Sequence, residues 1–156
     1  MTIAFRAGET NEGELRRAIE ALGYRVEVAS NRVVSPPVRA AEALQLPEHA
    51  PAFLREAVAR ARAGSKPLVL EFGASWCAPC RKLKRETLES PLVAPLLARV
   101  EFLPIDLDAE PELGKFYGVS SIPCVLFVDS QGKVVDRRIG FEPPKEFQMR
   151  LRRLLP

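Results

Sequence analysis

The chain has 156 residues, of which 47% are hydrophobic and 28% charged, and its formal net charge at pH 7 is +3. This length accommodates one ordinary domain, or a domain of about 100 residues with an appendage, and the composition excludes a disordered or fibrous protein. The basic residues are scattered without interleaved aromatic side chains, which argues against a nucleic-acid-binding surface.

The first 28 residues are predicted to form a small βαβ unit, with strands over residues 2–5 and 24–28 and a helix over 12–22. One apolar helical face is formed by Leu15, Ala18, Ile19 and Leu22. The stretch GELRRAIEALGYRVEV resembles the second half of a heavy-metal-associated domain, the ferredoxin-like module of metal chaperones. Because the Cys-x-x-Cys metal loop of that family is absent here, we expect a structural or docking role for this unit.

Residues 29–50 form a predicted proline-rich linker, with one short helix over residues 38–46. The predicted domains are therefore a βαβ unit over 1–28, this linker, and a larger domain over 51–156. The only histidine, His49, lies in the linker, and we expect it to be exposed and without a function.

From residue 51 onward, predicted helices alternate with strands. The predicted elements are a helix near 53–61, a strand over 68–72, a helix continuing over 81–88, a strand over 100–105, a short helix over 112–117, strands over 125–128 and 134–139 joined by a Ser-Gln-Gly turn, and a final helix near 147–155. This order indicates an α/β fold in which helices cover both faces of a mixed sheet.

Cys77 and Cys80 stand where the predicted buried strand runs into a helix. The N-terminus of a helix favours an anion, so a thiol there ionises more readily and Cys77 is the expected nucleophile. Cys80 lies one turn further along the same face, where it can attack a mixed disulfide formed by Cys77. Pro79 suits the first turn, where no intrahelical N–H is needed.

The same spacing occurs in half of a zinc site, which requires two further ligands. Only Cys124 and His49 remain for that purpose, which argues against structural zinc, and we expect no metal. No organic cofactor is expected either, because a cysteine pair itself carries two electrons. The alternative is a soft-metal-binding or thiol-relay module that uses Cys77, Cys80 and Cys124.

The WCAPC motif, together with Ile122, Pro123 and Gly140, resembles the thioredoxin superfamily over about residues 51 to 155. The resemblance implies a thioredoxin-like fold in which Pro123 is cis and packs against the cysteine pair. It also implies that the backbone of Ile122 binds the substrate peptide, that Gly140 leaves room for it, and that Trp76 flanks the nucleophile.

The resemblance implies a thiol-disulfide oxidoreductase, and more narrowly a protein-disulfide reductase. The implied partners are protein disulfides and a thiol reductant. The helix and Pro-interrupted segment over residues 82–97 are similar to the C-terminal domain of the membrane electron transporters of the disulfide-reduction pathway and their soluble relatives. Pro79 between the cysteines is typical of reducing members.

Glu71 occupies the place of a buried acid that serves proton transfer to the second cysteine in the resembled family. An acid in an apolar strand has a raised pKa, which suits a general base for Cys80. The other interpretation is a half-exposed glutamate with no role. The family usually has Asp there, with a lysine that is replaced here by an apolar residue near Phe102.

Cys124 departs from the resembled family, which commonly has Thr after the cis-proline. It is either a small hydrophobic residue of the core or a third redox thiol near the pair.

No apolar run approaches the roughly 20 residues of a membrane span, and the first 30 residues lack the pattern of a secretory leader. We therefore expect a cytoplasmic location, or a periplasmic or membrane-tethered one if a leader or anchor precedes residue 1. The oligomeric state is left open.

Overall fold

The computed structural model describes residues 42–155, and the predicted βαβ unit and most of the linker lie outside these residues. Within this range a mixed sheet is flanked by helices, as predicted. The elements in chain order are β1 (Glu42–Ala43), α1 (Ala52–Ala63), β2 (Leu68–Gly73), α2 (Ala78–Lys82) continued by a π-helical segment (Leu83–Leu88), α3 (Ala94–Leu97), β3 (Glu101–Asp106), α4 (Pro111–Phe116), β4 (Cys124–Val128), β5 (Lys133–Ile139) and α5 (Pro144–Leu154).

The described strands are arranged in the order β1-β5-β4-β2-β3. β2 pairs with β3 in parallel and with β4 antiparallel, while β4 and β5 form an antiparallel hairpin. β2 is therefore central, which explains why its residues are almost all buried. Its C-terminal end delivers the chain to the N-terminus of α2, where the cysteine pair lies.

Two layers of apolar side chains cover the sheet. The layer beneath α1 and α4 includes Leu54, Val58, Leu70, Phe72, Leu113, Cys124 and Leu126. The layer beneath α5 and the π-helical segment includes Val69, Leu83, Leu88, Val125, Phe127, Phe147 and Leu151. A fully buried Leu or Phe side chain contributes about 1.5–3 kcal/mol, so both layers hold the helices firmly on the sheet.

The short helix predicted over residues 38–46 is wrong in its described part. Glu42 and Ala43 instead form strand β1, which pairs with the edge of β5, and Leu44 N donates to Gly132 O at 2.7 Å. Leu44 and Ala50 are buried in the layer beneath α1. An isolated helix of nine residues is marginal in water, whereas a sheet edge supplies hydrogen bonds and apolar contacts. The division between linker and domain at residue 50 stays a prediction.

The helix predicted to continue over 81–88 changes its winding at Leu83. Beyond this point it is π-helical, and Glu89 N donates to Lys84 O five residues earlier, at 3.0 Å. In this segment Thr87 is fully buried and its hydroxyl donates to the Glu142 carbonyl at 2.6 Å. The segment is thus tied to the loop between β5 and α5.

Candidate active site

Cys77 and Cys80 are joined in a disulfide at the start of α2. Cys77 is the N-cap residue with extended backbone, and the Cys80 amide donates to its sulfur at 3.1 Å. Pro79 lies in the first turn, as predicted. Both cysteines are largely buried, with 3% and 7% of their surfaces exposed. In the reduced state, this amide and the helix terminus favour the ionised form of the Cys77 thiol.

The peptide bond between Ile122 and Pro123 is cis and immediately precedes β4. The Ile122 side chain packs against the small buried cluster formed by Ala74 and the two cysteines. The Pro123 carbonyl accepts a 2.7 Å hydrogen bond from the amide of Gly140. The structure therefore places Ile122 against the cysteine pair and connects the adjacent Pro123 to Gly140.

Gly140 has a φ of +82°, a left-handed conformation that favours glycine. Among the described residues, a Cβ atom added at this position would meet no atom within 4 Å. Backbone conformation accounts for the glycine here, and the space beside it is open.

Trp76 flanks Cys77 and is 67% exposed. Its indole Nε1 donates to Asp108 Oδ1 at 3.0 Å, and the Asp108 amide in turn donates to Asp106 Oδ1 at 2.9 Å. The sequence analysis missed Asp108, because an acid after a strand is indistinguishable from an ordinary surface residue. An exposed aromatic surface held in one orientation therefore borders the nucleophile.

Glu71 lies on β2 with its carboxyl group close to Cys80. Burial raises the pKa of this carboxyl to about 7, and Lys84 opposes the increase. The group opens onto a cleft of about 730 Å³ whose lining includes Cys80, Lys84, Phe102 and Pro104. The cleft gives Glu71 a connection to solvent beside the second cysteine.

Lys84 is a residue of this cleft that the sequence analysis missed. Pro104 of β3 pairs with Glu71, so the neighbouring strand supplies no cation opposite the acid. Lys84, four residues after Cys80 on the active-site helix, lines the cleft instead. The i, i+4 spacing from Cys80 was a usable signal, since such residues share one helical face.

Cys124 is fully buried in the layer beneath α1 and α4, whereas Cys77 and Cys80 belong to a separate cluster. Burial raises the pKa of its thiol, which a 3.5 Å hydrogen bond from Arg137 Nε opposes. His49 is exposed. Within residues 42–155 there is no group of three or more His, Cys, Asp or Glu side chains that could hold a metal ion.

The site thus combines a disulfide at a helix N-terminus, a titratable carboxyl in the cleft that its second cysteine lines, and a cis-proline edge. Thiol–disulfide exchange needs an ionised attacking thiol, a second thiol in reach and an acceptor for its proton.

None of the helices that the structure describes has the length and the apolar character required to cross a membrane.

Comparison with known proteins gives a consistent family. Residues 54–155 match the sequence profile of the thioredoxin-like domain. The thiol:disulfide interchange protein DsbD of Ralstonia nicotianae is 35% identical over 105 residues, which cover 64% of this chain and 17% of that protein. A thioredoxin of Mycoplasmoides gallisepticum is 32% identical over 91 residues, which cover 54% of this chain and 80% of that protein.

Solved structures show the same likeness. The oxidised C-terminal domain of DsbD from Neisseria meningitidis superposes with a TM-score of 0.58 at 32% identity, covering 66% of this chain and 94% of that one. A thioredoxin from Thermus thermophilus gives a TM-score of 0.57 at 30% identity, covering 64% and 81%. The matched residues span less than a fifth of these DsbD proteins.

Proposed function

The chain belongs to the thioredoxin-like family, and on that premise we propose that it is a thiol-disulfide oxidoreductase that reduces protein disulfides through Cys77 and Cys80. The observation that carries the proposal is the disulfide at the N-terminus of α2, with the Cys80 amide directed at the Cys77 sulfur. This arrangement stabilises a thiolate on the first cysteine and keeps the second within bonding distance.

The proposed reaction begins with attack by the Cys77 thiolate on one sulfur of a substrate disulfide. The substrate S–S bond breaks, its other sulfur leaves as a thiolate that takes up a proton, and a Cys77–substrate disulfide forms. The Cys80 thiol then loses its proton and attacks the Cys77 sulfur. The substrate's second thiol leaves, so two electrons have passed to the substrate and Cys77 and Cys80 are joined. An external thiol reductant returns the pair to its dithiol form.

Glu71 is the proposed acceptor of the Cys80 proton. Its carboxyl lies beside the Cys80 sulfur, and a pKa of about 7 allows it to take and release a proton at neutral pH. The cleft beside it provides the exit by which that proton reaches water. This role requires no contact between Glu71 and the substrate.

The proposed docking edge is formed by Ile122, Pro123 and Gly140, with Trp76 on the other side of the nucleophile. Ile122 packs against the cysteine pair, and the open space beside Gly140 admits an extended peptide. A peptide laid there would present its disulfide to Cys77 by backbone hydrogen bonds, which suits many sequences. The cytoplasmic location expected from the sequence stays a prediction.

The test is capture of the mixed disulfide. Cys80→Ser should accumulate a Cys77-linked adduct with a disulfide-containing protein such as insulin, visible by non-reducing electrophoresis and mass spectrometry. Cys77→Ser should form no adduct, and Cys124→Ser should leave insulin reduction by dithiothreitol at the wild-type rate. If Cys77→Ser remains active, or the wild-type protein does not accelerate insulin reduction, the proposed function is wrong.

A further inference from the structure

One arginine on the last strand joins both ends of the cis-proline loop (residues 119–123). The Arg137 Nη2 atom donates to Tyr117 O at 2.6 Å and to Gly118 O at 3.0 Å, immediately before the loop. Its Nε atom donates to Cys124 Sγ at 3.5 Å, immediately after the loop. A single guanidinium therefore spans the base of the segment that carries the docking edge.

The strand register explains how this side chain reaches the loop. Arg137 pairs with Leu126 across the β4–β5 hairpin, and Leu126 belongs to the layer beneath α1 and α4. The side chain therefore extends over the same face as the C-terminal end of α4, where backbone carbonyls lack intrahelical partners. A cation is favoured at such an end, and hydrogen bonds from a charged donor are about twice as strong as neutral ones.

Backbone hydrogen bonds also attach the loop at both ends. Val119 N donates to Gly114 O at 2.8 Å, and Gly140 N donates to Pro123 O at 2.7 Å. The Arg137 side chain connects these two anchored ends. Between them lies Ile122, whose side chain contacts the cysteine cluster.

We propose that Arg137 is a positioning residue for protein-disulfide substrates. It holds the cis-proline loop in the position in which the loop backbone binds the substrate peptide. This inference rests on the proposed function. The fork of the guanidinium is essential, because it directs separate donors at two carbonyls and a thiol. Lysine at this position has a single ammonium group and reaches only part of this set.

The test compares a protein substrate, which docks on the cis-proline loop, with a small disulfide, which does not. For Arg137→Met we expect the KM for insulin to rise about fivefold or more, with kcat within about twofold of wild type. Reduction of a small aromatic disulfide, dithiobis(nitrobenzoate), should keep its wild-type rate because it needs no peptide docking. Arg137→Lys should restore part of the KM, and Cys124→Ala, which removes one of the three acceptors, should raise the KM less than Arg137→Met does.

A second measurement separates this inference from the activity itself. Amide hydrogen exchange of residues 119–122 should be faster in Arg137→Met than in Val128→Ala, a cavity variant at the far end of β4 from the loop that lowers the Tm. An unchanged exchange rate, or an equal KM increase in Val128→Ala, overturns the positioning role. If wild type fails to reduce insulin while the exchange difference is present, the proposed function fails and the loop-holding role stands.

Discussion

The Glu71 carboxyl and the Cys80 sulfur converge on Gly73. A Cβ atom added to this glycine would stand 3.0 Å from Glu71 Oε1 and 3.5 Å from Cys80 Sγ. Glycine at the end of β2 therefore leaves the space between the acid and the second thiol open. Of the two interpretations of Glu71, this placement favours a role in proton transfer over a glutamate without a role.

Replacement of Glu71 should impair the second chemical step. In wild type, release of thionitrobenzoate from its mixed disulfide with Cys77 should accelerate with a midpoint near pH 7, because ionised Glu71 accepts the Cys80 proton. Glu71→Gln should lose this acceleration with pH and should slow the release of thionitrobenzoate at pH 8 by about tenfold or more. Stopped-flow absorbance measures this step. Glu71→Asp should retain the acceleration with pH. A Gln variant with the wild-type profile would exclude Glu71 as the proton acceptor.

The same substitution should stabilise the folded protein at alkaline pH. The folded-state pKa of Glu71 is raised from 4.5 to about 7, so between these values the folded state binds more protons and wild-type stability falls as pH rises. The Glu71→Gln variant has no carboxylate at this position, so it does not bear the cost of desolvating a buried charge. It should exceed wild type in unfolding free energy by up to about 3 kcal/mol at pH 8, with little of that difference at pH 4. Guanidinium unfolding of the oxidised proteins measures both; equal gains at the two pH values would contradict the raised pKa.

Removal of the Lys84 charge should move the pH profile upward. Lys84 lowers the pKa of Glu71, so in Lys84→Met that pKa should rise above 7 and the midpoint of thionitrobenzoate release should shift to higher pH. Lys82→Met is the matched control, since Lys82 lies over the Phe141 ring at 4.3 Å, on the same helix but outside the cleft lining. Equal midpoints in the two variants would show that Lys84 does not act on Glu71.

The buried Glu142 should be important for stability. It is 3% exposed, and Arg150 Nε donates to both of its carboxyl oxygens at 2.8 and 3.0 Å. Glu142→Gln should lower the unfolding free energy by about 2–4 kcal/mol, because it leaves the Arg150 charge partly uncompensated in the interior.

The control for that substitution is a similar pair at the surface. Arg60 donates through Nε and Nη2 to Glu101, but the arginine side chain is 57% exposed. Glu101→Gln should therefore cost less than about 1 kcal/mol in unfolding free energy, and urea titration of both variants measures the difference. A larger loss at Glu101 than at Glu142 would mean that burial does not govern these pairs.

Those parts of the site that are encoded in short stretches of the chain could be predicted from the sequence. The apolar run of β2 followed by the cysteine pair and Pro79 predicts a strand that enters a helix, because each signal acts on its neighbours along the chain. The Ser-Gln-Gly turn likewise predicted the β4–β5 hairpin, in which Gly132 has a positive φ. These elements and the family resemblance were confirmed.

Tertiary structure alone decided which distant side chains meet. Lys84 of the π-helical segment lines the same cleft as Glu71 of β2, and Arg137 reaches Tyr117 because of one strand register. β1 forms because it pairs with the edge of β5. This pairing outweighs the weak helix tendency of residues 38–46. Periodicity describes a chain one element at a time. The direction of strand pairing and the placement of helices over the sheet depend on packing the whole core. Local spacing could therefore place Lys84 on the helical face of Cys80, but it could not place either residue next to Glu71.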